Sequence, residues 1–221
     1  MSEAATPAPQ FVLVVETTPP GEALLAAILA EAPPTCLIVA AEDGLPLLAT
    51  DDAETPPDRP LHLEHARKLV AAAQDAGVAA LVAGDPAGAI ETGADGIHLD
   101  FSEEIADRFE AMRRILGSNA TIGVVSNLSR HTAMVLGEAG ADYIGFDLRP
   151  GARLGGCDMV AWWAEIFEIP VVAFVADLEA ARAARGAGAD FIALCPPPGT
   201  SLADALRVWR EVRALATDSA G

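Results

Sequence analysis

One short phrase recurs three times and constrains the architecture more than any other feature. Gly93-Ala94-Asp95 leads into Gly96-Ile97-His98-Leu99, and Gly140-Ala141-Asp142 leads into Tyr143-Ile144-Gly145-Phe146. Gly188-Ala189-Asp190 leads into Phe191-Ile192-Ala193-Leu194. The copies begin 47 and 48 residues apart. Each follows a helix-like stretch and precedes a short apolar run. Glycine tolerates the left-handed conformation that ends a helix. The apolar run behind it suits a strand buried on both faces, as in a parallel sheet. A weaker fourth copy, Ala76-Gly77-Val78, leads into Ala79-Ala80-Leu81-Val82. Such a period also suits a solenoid. Here each period holds two strand–helix units, which favours an α/β barrel.

The rest of the chain supplies the missing units. Apolar runs at 11–16, 35–40, 78–83, 96–99, 120–125, 143–146, 170–175 and 191–194 predict eight strands, each followed by a helix. Ser102, Ser129, and Ser201 with Asp204 read as helix caps. Residues 44–60 read as a long loop, a lid or a mobile surface. With 221 residues the chain suits one barrel and is short for two domains. The expected organisation is a flexible N-terminal arm at 1–10, a single (βα)8 TIM-barrel domain at 11–216 and a C-terminal tail at 217–221.

Charge narrows the partners. A formal net charge of −18 argues against nucleic acid, whose phosphates need clustered lysine and arginine, and against an anionic membrane surface. Cys36, Cys157 and Cys195 have no metal-ligand spacing. Their odd count, with no secretory leader, points to a reducing cytoplasm. Trp162, Trp163 and Trp209 read as core or as a homo-oligomer contact. The expected partner is an unidentified small molecule.

From about residue 77 to 195 the chain resembles the thiamine-phosphate synthase family, which also includes a thiazole tautomerase. The resemblance rests on an ordered set: Gly93-Ala94-Asp95-Gly96-Ile97-His98-Leu99, Ile122-Gly123-Val124-Val125-Ser126, Ala139-Gly140-Ala141-Asp142-Tyr143-Ile144-Gly145 and Ile169-Pro170-Val171-Val172-Ala173. The first 76 residues match in layout only. The resemblance implies a barrel with its site at the C-terminal strand ends. It also implies Mg2+, with Asp85 and Glu103 at the positions of the metal carboxylates.

Several family positions are changed. The Gln-x-Arg-x-Lys expected after strand two is Val39-Ala40-Ala41-Glu42-Asp43, and the Thr-x-Thr-Lys loop after strand six is replaced by Leu148-Arg149-Pro150-Gly151-Ala152-Arg153. A Gly-Gly pair after strand seven is Val175-Ala176, with Asp177 next. Leu128 falls where a tautomerase needs its histidine, so that activity is not expected.

The rim then reads as an acidic ring of Glu16, Glu42, Asp43, Asp85, Asp100, Glu103, Asp147 and Asp177, with Arg149 and Arg153 as cationic exceptions. Such a ring would repel a diphosphate, which normally needs cations to neutralise it. The expectation is a divergent member that has lost diphosphate binding and takes another small molecule or acts without catalysis. The alternative is an active synthase joining hydroxymethylpyrimidine diphosphate to thiazole phosphate with magnesium. The candidate ligand contacts are Asp100, Ser126, Asp147, Arg149 and Asp177. The candidate catalytic groups are His98 and Ser126. His98 also reads as a satisfied core imidazole, and strand alternation decides which way it points.

Overall fold

A computed structural model describes residues 8–46, 61–126, 128–152 and 154–217. The arm at 1–7, most of the predicted loop (47–60), Asn127, Arg153 and the tail at 218–221 lie outside the described residues.

Eight strands alternate with eight helices in the order the hydrophobic runs predict. They are β1 Gln10–Glu16, α1 Pro19–Glu31, β2 Cys36–Ala40, α2 Leu63–Asp75, β3 Ala79–Ala83, α3 Pro86–Thr92, β4 Gly96–Leu99 and α4 Ile105–Leu116. The second half comprises β5 Thr121–Val125, α5 Arg130–Glu138, β6 Tyr143–Asp147, α6 Gly156–Ile166, β7 Val171–Val175, α7 Leu178–Gly186, β8 Phe191–Leu194 and α8 Leu202–Ala214. All strands pair in parallel, each with its sequence neighbour, and β8 closes onto β1. The fold is therefore a (βα)8 barrel. Among the described residues no helix is long and apolar enough to cross a membrane.

The repeated phrase is the clasp that assembles this barrel. Gly93, Gly140 and Gly188 take φ values of +69°, +92° and +86°, which reverse the chain out of a helix. The aspartate that follows then grips the preceding strand at two points. Asp95 N donates to Ala80 O, and its Oδ2 accepts from Ala80 N at 2.8 Å. Asp142 does the same to Ile122, with Oδ2 accepting at 2.7 Å. Asp190 does the same to Val171, with Oδ2 accepting at 2.8 Å. The three acids are structural, and the repeat marks alternate strand pairs.

Two apolar layers follow from the two-residue period of the strands. Leu13, Leu37, Val82, Ile97, Val124 and Phe146 face the helices. Val14, Ile38, Leu81, Tyr143, Phe174 and Ala193 fill the barrel interior. Gly123 lies at an inward position because a Cβ there would sit 1.8 Å from the Tyr143 ring. Trp163 and Trp209 are buried core, donating to Ile169 O and Ala32 O.

Helix ends differ from expectation in one place. Ser129 and Ser201 cap α5 and α8 as predicted, accepting from Thr132 N and Asp204 N. Ser102 does not cap α4. A further turn puts Glu104 at that position, without a side-chain cap, and Ser102 Oγ accepts from Arg108 instead.

Candidate active site

Four buried side-chain atoms among the described residues have no hydrogen-bond partner: Glu16 Oε1, Thr17 Oγ1, His98 Nε2 and Ser126 Oγ. All four belong to the C-terminal halves of strands or to the residues just beyond them. Buried polar groups are normally satisfied, so orphans gathered at one end mark where water or a ligand belongs. A cavity of about 600 Å3 opens at this end, between Glu16, Asp43, Arg149, Ala176, Cys195 and Pro196. A second cavity of about 510 Å3 shares Glu16 and the Pro196–Pro198 turn, so Glu16 borders both.

His98 is inward and fully buried. Its Nδ1 lies 2.6 Å from Tyr143 Oη, and its ring packs on Tyr143 and Phe174. Nε2 faces Asp100 Oδ1 at 3.8 Å, too far for a hydrogen bond. Burial, helped by the charge on Arg149, pushes its pKa down to about 3, so the ring is neutral at physiological pH. His98 is thus a core imidazole on one nitrogen and an unsatisfied one on the other. Ser126 is buried just beyond the end of β5, with its amide donating to Gly145 O.

The acids at the rim have separate fates. Asp85 Oδ1 accepts from Gly88 N and caps α3, and Asp177 Oδ1 accepts from Ala180 N and caps α7. Asp147 is buried and held in a two-point fork by Arg149, with Nε at 2.9 Å and Nη2 at 2.7 Å. Burial, then the charges on Asp43 and Glu42, raise the pKa of Glu16 above its ordinary value. Glu103 is exposed, at the turn before α4. Burial pushes the Cys195 thiol up to about 12, which makes it a small core residue rather than a nucleophile.

Arg149 also donates from Nη1 to Leu45 O at 3.0 Å and from Nη2 to Pro46 O at 2.8 Å. Leu45 belongs to the interior apolar layer, so the segment after β2 folds over the barrel top. Sequence reasoning missed Leu45, and no local signal marks it. It also missed Tyr143 as the partner of His98. There the signal existed, because an inward glycine at 123 leaves room for an inward aromatic ring on the next strand.

Residues 35–197 match the family described as thiamine monophosphate synthase. The chain belongs to that family. A thiamine-phosphate synthase of Rhodospirillum centenum (strain ATCC 51521 / SW) is 36% identical over 136 residues, covering 55% of this chain and 64% of that protein. One from Erythrobacter litoralis (strain HTCC2594) is 38% identical over 110 residues, covering 46% and 50%. The matched stretches thus span less than two-thirds of these relatives. The structure of thiamine phosphate pyrophosphorylase from Pyrococcus furiosus superposes with a TM-score of 0.70 over 96% of this chain and 97% of that one, at 20% identity, which supports the fold.

These findings correct the expectation of a chain that has lost its family's activity. Four relatives at 33–38% identity all carry the name thiamine-phosphate synthase. The physical reason for the error is visible at the rim. Counting formal charges treated every carboxylate as free. Asp147 is instead compensated by the Arg149 guanidinium, and Asp85 and Asp177 are drawn into cap hydrogen bonds with helix amides.

Members of this family use Mg2+. Among the described residues no three His, Cys, Asp or Glu side chains group closely enough to hold a metal ion. Of the two carboxylates expected at the metal positions, Asp85 accepts from Gly88 N and Glu103 is exposed.

Proposed function

We propose that this barrel is a thiamine-phosphate synthase, joining hydroxymethylpyrimidine diphosphate to thiazole phosphate. The observation that carries the proposal is the family match over residues 35–197, together with the shared name of the four relatives. In this reaction the methylene carbon of the pyrimidine loses its bond to the diphosphate oxygen. The thiazole nitrogen supplies the electron pair for the new C–N bond, and diphosphate departs with the electrons of the broken one.

The geometry supports this reading in two ways. The cavity suits a small substrate by size and by its mix of apolar walls and few polar groups. The unpaired buried atoms of Glu16, His98 and Ser126 lie toward the same end of the barrel, and Glu16 borders the cavity. A cytoplasmic setting belongs to this reading, and the three cysteines are free thiols.

The purified chain should form thiamine phosphate from the two substrates in magnesium-containing buffer, read by chromatography or by thiochrome fluorescence after oxidation. No product above the uncatalysed background, with the protein shown to be folded, rejects the reading.

A further inference from the structure

We infer that Glu16 faces the thiazole nitrogen and stabilises the positive charge which that nitrogen acquires as the two rings are joined. This rests on the synthase reading above and adds to it a residue for the bond-forming step.

The reaction itself creates the charge. The thiazole nitrogen is neutral before it attacks. It gives its electron pair to the methylene carbon and has no proton to lose. Once diphosphate has left with the electrons of the broken C–O bond, the nitrogen keeps a formal positive charge. A group that meets this charge stabilises the transition state more than the ground state, and so raises kcat. A carboxylate already fixed where the charge develops does so without rearranging.

The cavity wall supplies such a group. Glu16 is the last residue of β1 and borders the cavity of about 600 Å3. Its Oε1 is buried and has no hydrogen-bond partner. A buried polar atom is normally satisfied, so this one marks a place for a ligand or water. Gly44 on the same wall leaves it uncovered, because a Cβ there would sit 3.5 Å from Oε1.

The rest of the wall is poor in donors. Pro46, Pro150, Pro196, Pro197 and Pro198 line it and have no N–H. The amides of Gly44, Arg149 and Cys195 already donate to Ala41 O, Asp147 Oδ1 and Val175 O. The Arg149 guanidinium is turned onto Asp147 and the carbonyls of Leu45 and Pro46. Asp43 adds a second carboxylate. A phosphoryl oxygen brought against Glu16 would meet like charge, whereas a ring that becomes positive meets an acceptor. Burial and the charges on Asp43 and Glu42 disfavour a lone carboxylate at Glu16, and a cation alongside relieves that cost.

Calorimetry on the full chain tests this without relying on turnover. It compares thiamine, whose thiazolium ring is permanently positive, with the neutral isostere in which thiophene replaces that ring. Wild type should bind thiamine at least about tenfold more tightly than the isostere. Glu16→Gln, shown to be folded by circular dichroism, should bring the two within about threefold by weakening thiamine alone. In turnover, kcat of E16Q should fall at least about tenfold. KM for thiazole phosphate should stay within about twofold of wild type, because the ring is neutral until the bond forms.

Equal affinity for the two ligands in wild type, or no measurable binding of thiamine, overturns the proposal and needs no variant. A folded E16Q that weakens both ligands alike also overturns it, since that is the mark of a purely structural role. Synthase turnover with kcat unchanged in E16Q sinks the Glu16 assignment and leaves the activity standing. A preference for the charged ring that is lost in E16Q, in a protein that makes no thiamine phosphate, keeps Glu16 as the cation contact and removes the synthase reading.

Discussion

His98 carries the clearest single-residue consequence. It is wholly enclosed, bonded through Nδ1 to Tyr143, and its pKa is lowered to about 3 by burial and then by Arg149. An unfolded chain has an ordinary imidazole near pH 6.5. Between these values the unfolded state takes up a proton that the folded state refuses. The stability associated with the neutral ring is therefore complete above about pH 6.5 and drains away as pH falls toward 3, by ~1.4 kcal/mol per pH unit. Between pH 7 and pH 5 the wild type should lose about 2 kcal/mol more than His98→Gln, read from urea unfolding at both values. In the folded protein the His98 ring resonances should not move over that range. An imidazole that titrates near pH 6.5 in the native state means water or a carboxylate reaches Nε2.

At the scale of elements, the Gly-Ala-Asp clasp links sequence to architecture most directly. Asp190 is the best of the three to test, because Asp142 also accepts from Arg113 at 2.7 Å, which would blur the result. Removing the Asp190 carboxylate leaves Val171 N without its partner at the start of β7. Asp190→Ala should destabilise by about 1–3 kcal/mol, and Asp190→Asn by less because it keeps an acceptor. Urea unfolding checks this, and a change within about 0.5 kcal/mol of zero for the alanine variant would show that water replaces the bond.

The clasp also explains what could be read from the chain and what could not. Turn glycine, aspartate and apolar strand are contiguous in sequence, so the barrel and its strand ends were legible. The state of the rim was not. Arg149 meets Leu45 and Pro46 from more than a hundred residues away, and nothing local to either segment announces it. Asp85 and Asp177 look like free rim acids in sequence, yet both accept an amide three residues ahead. That pattern is itself a capping signal, and reading it would have placed both carboxylates on helix amides, where each keeps its charge.

Over the whole molecule the net charge of −18 acts against the compact state. Ion pairs offset little of this. Arg67–Glu91, Arg207–Glu211 and Arg210–Glu31 join side chains that are largely solvent-exposed, and each such pair contributes only ~0–1 kcal/mol. Among the described residues Arg149–Asp147 differs, since both partners are nearly enclosed. Added salt weakens the surface pairs and the general repulsion together. Repulsion sums over many acids at long range, and screening with a Debye length of about 10 Å at 0.1 M removes that sum first. The enclosed pair is screened far less. Stability should therefore rise with sodium chloride, seen as a higher thermal midpoint at 0.5 M than at 0.02 M. A midpoint that falls would mean that surface pairing, and not the shared negative field, governs this barrel.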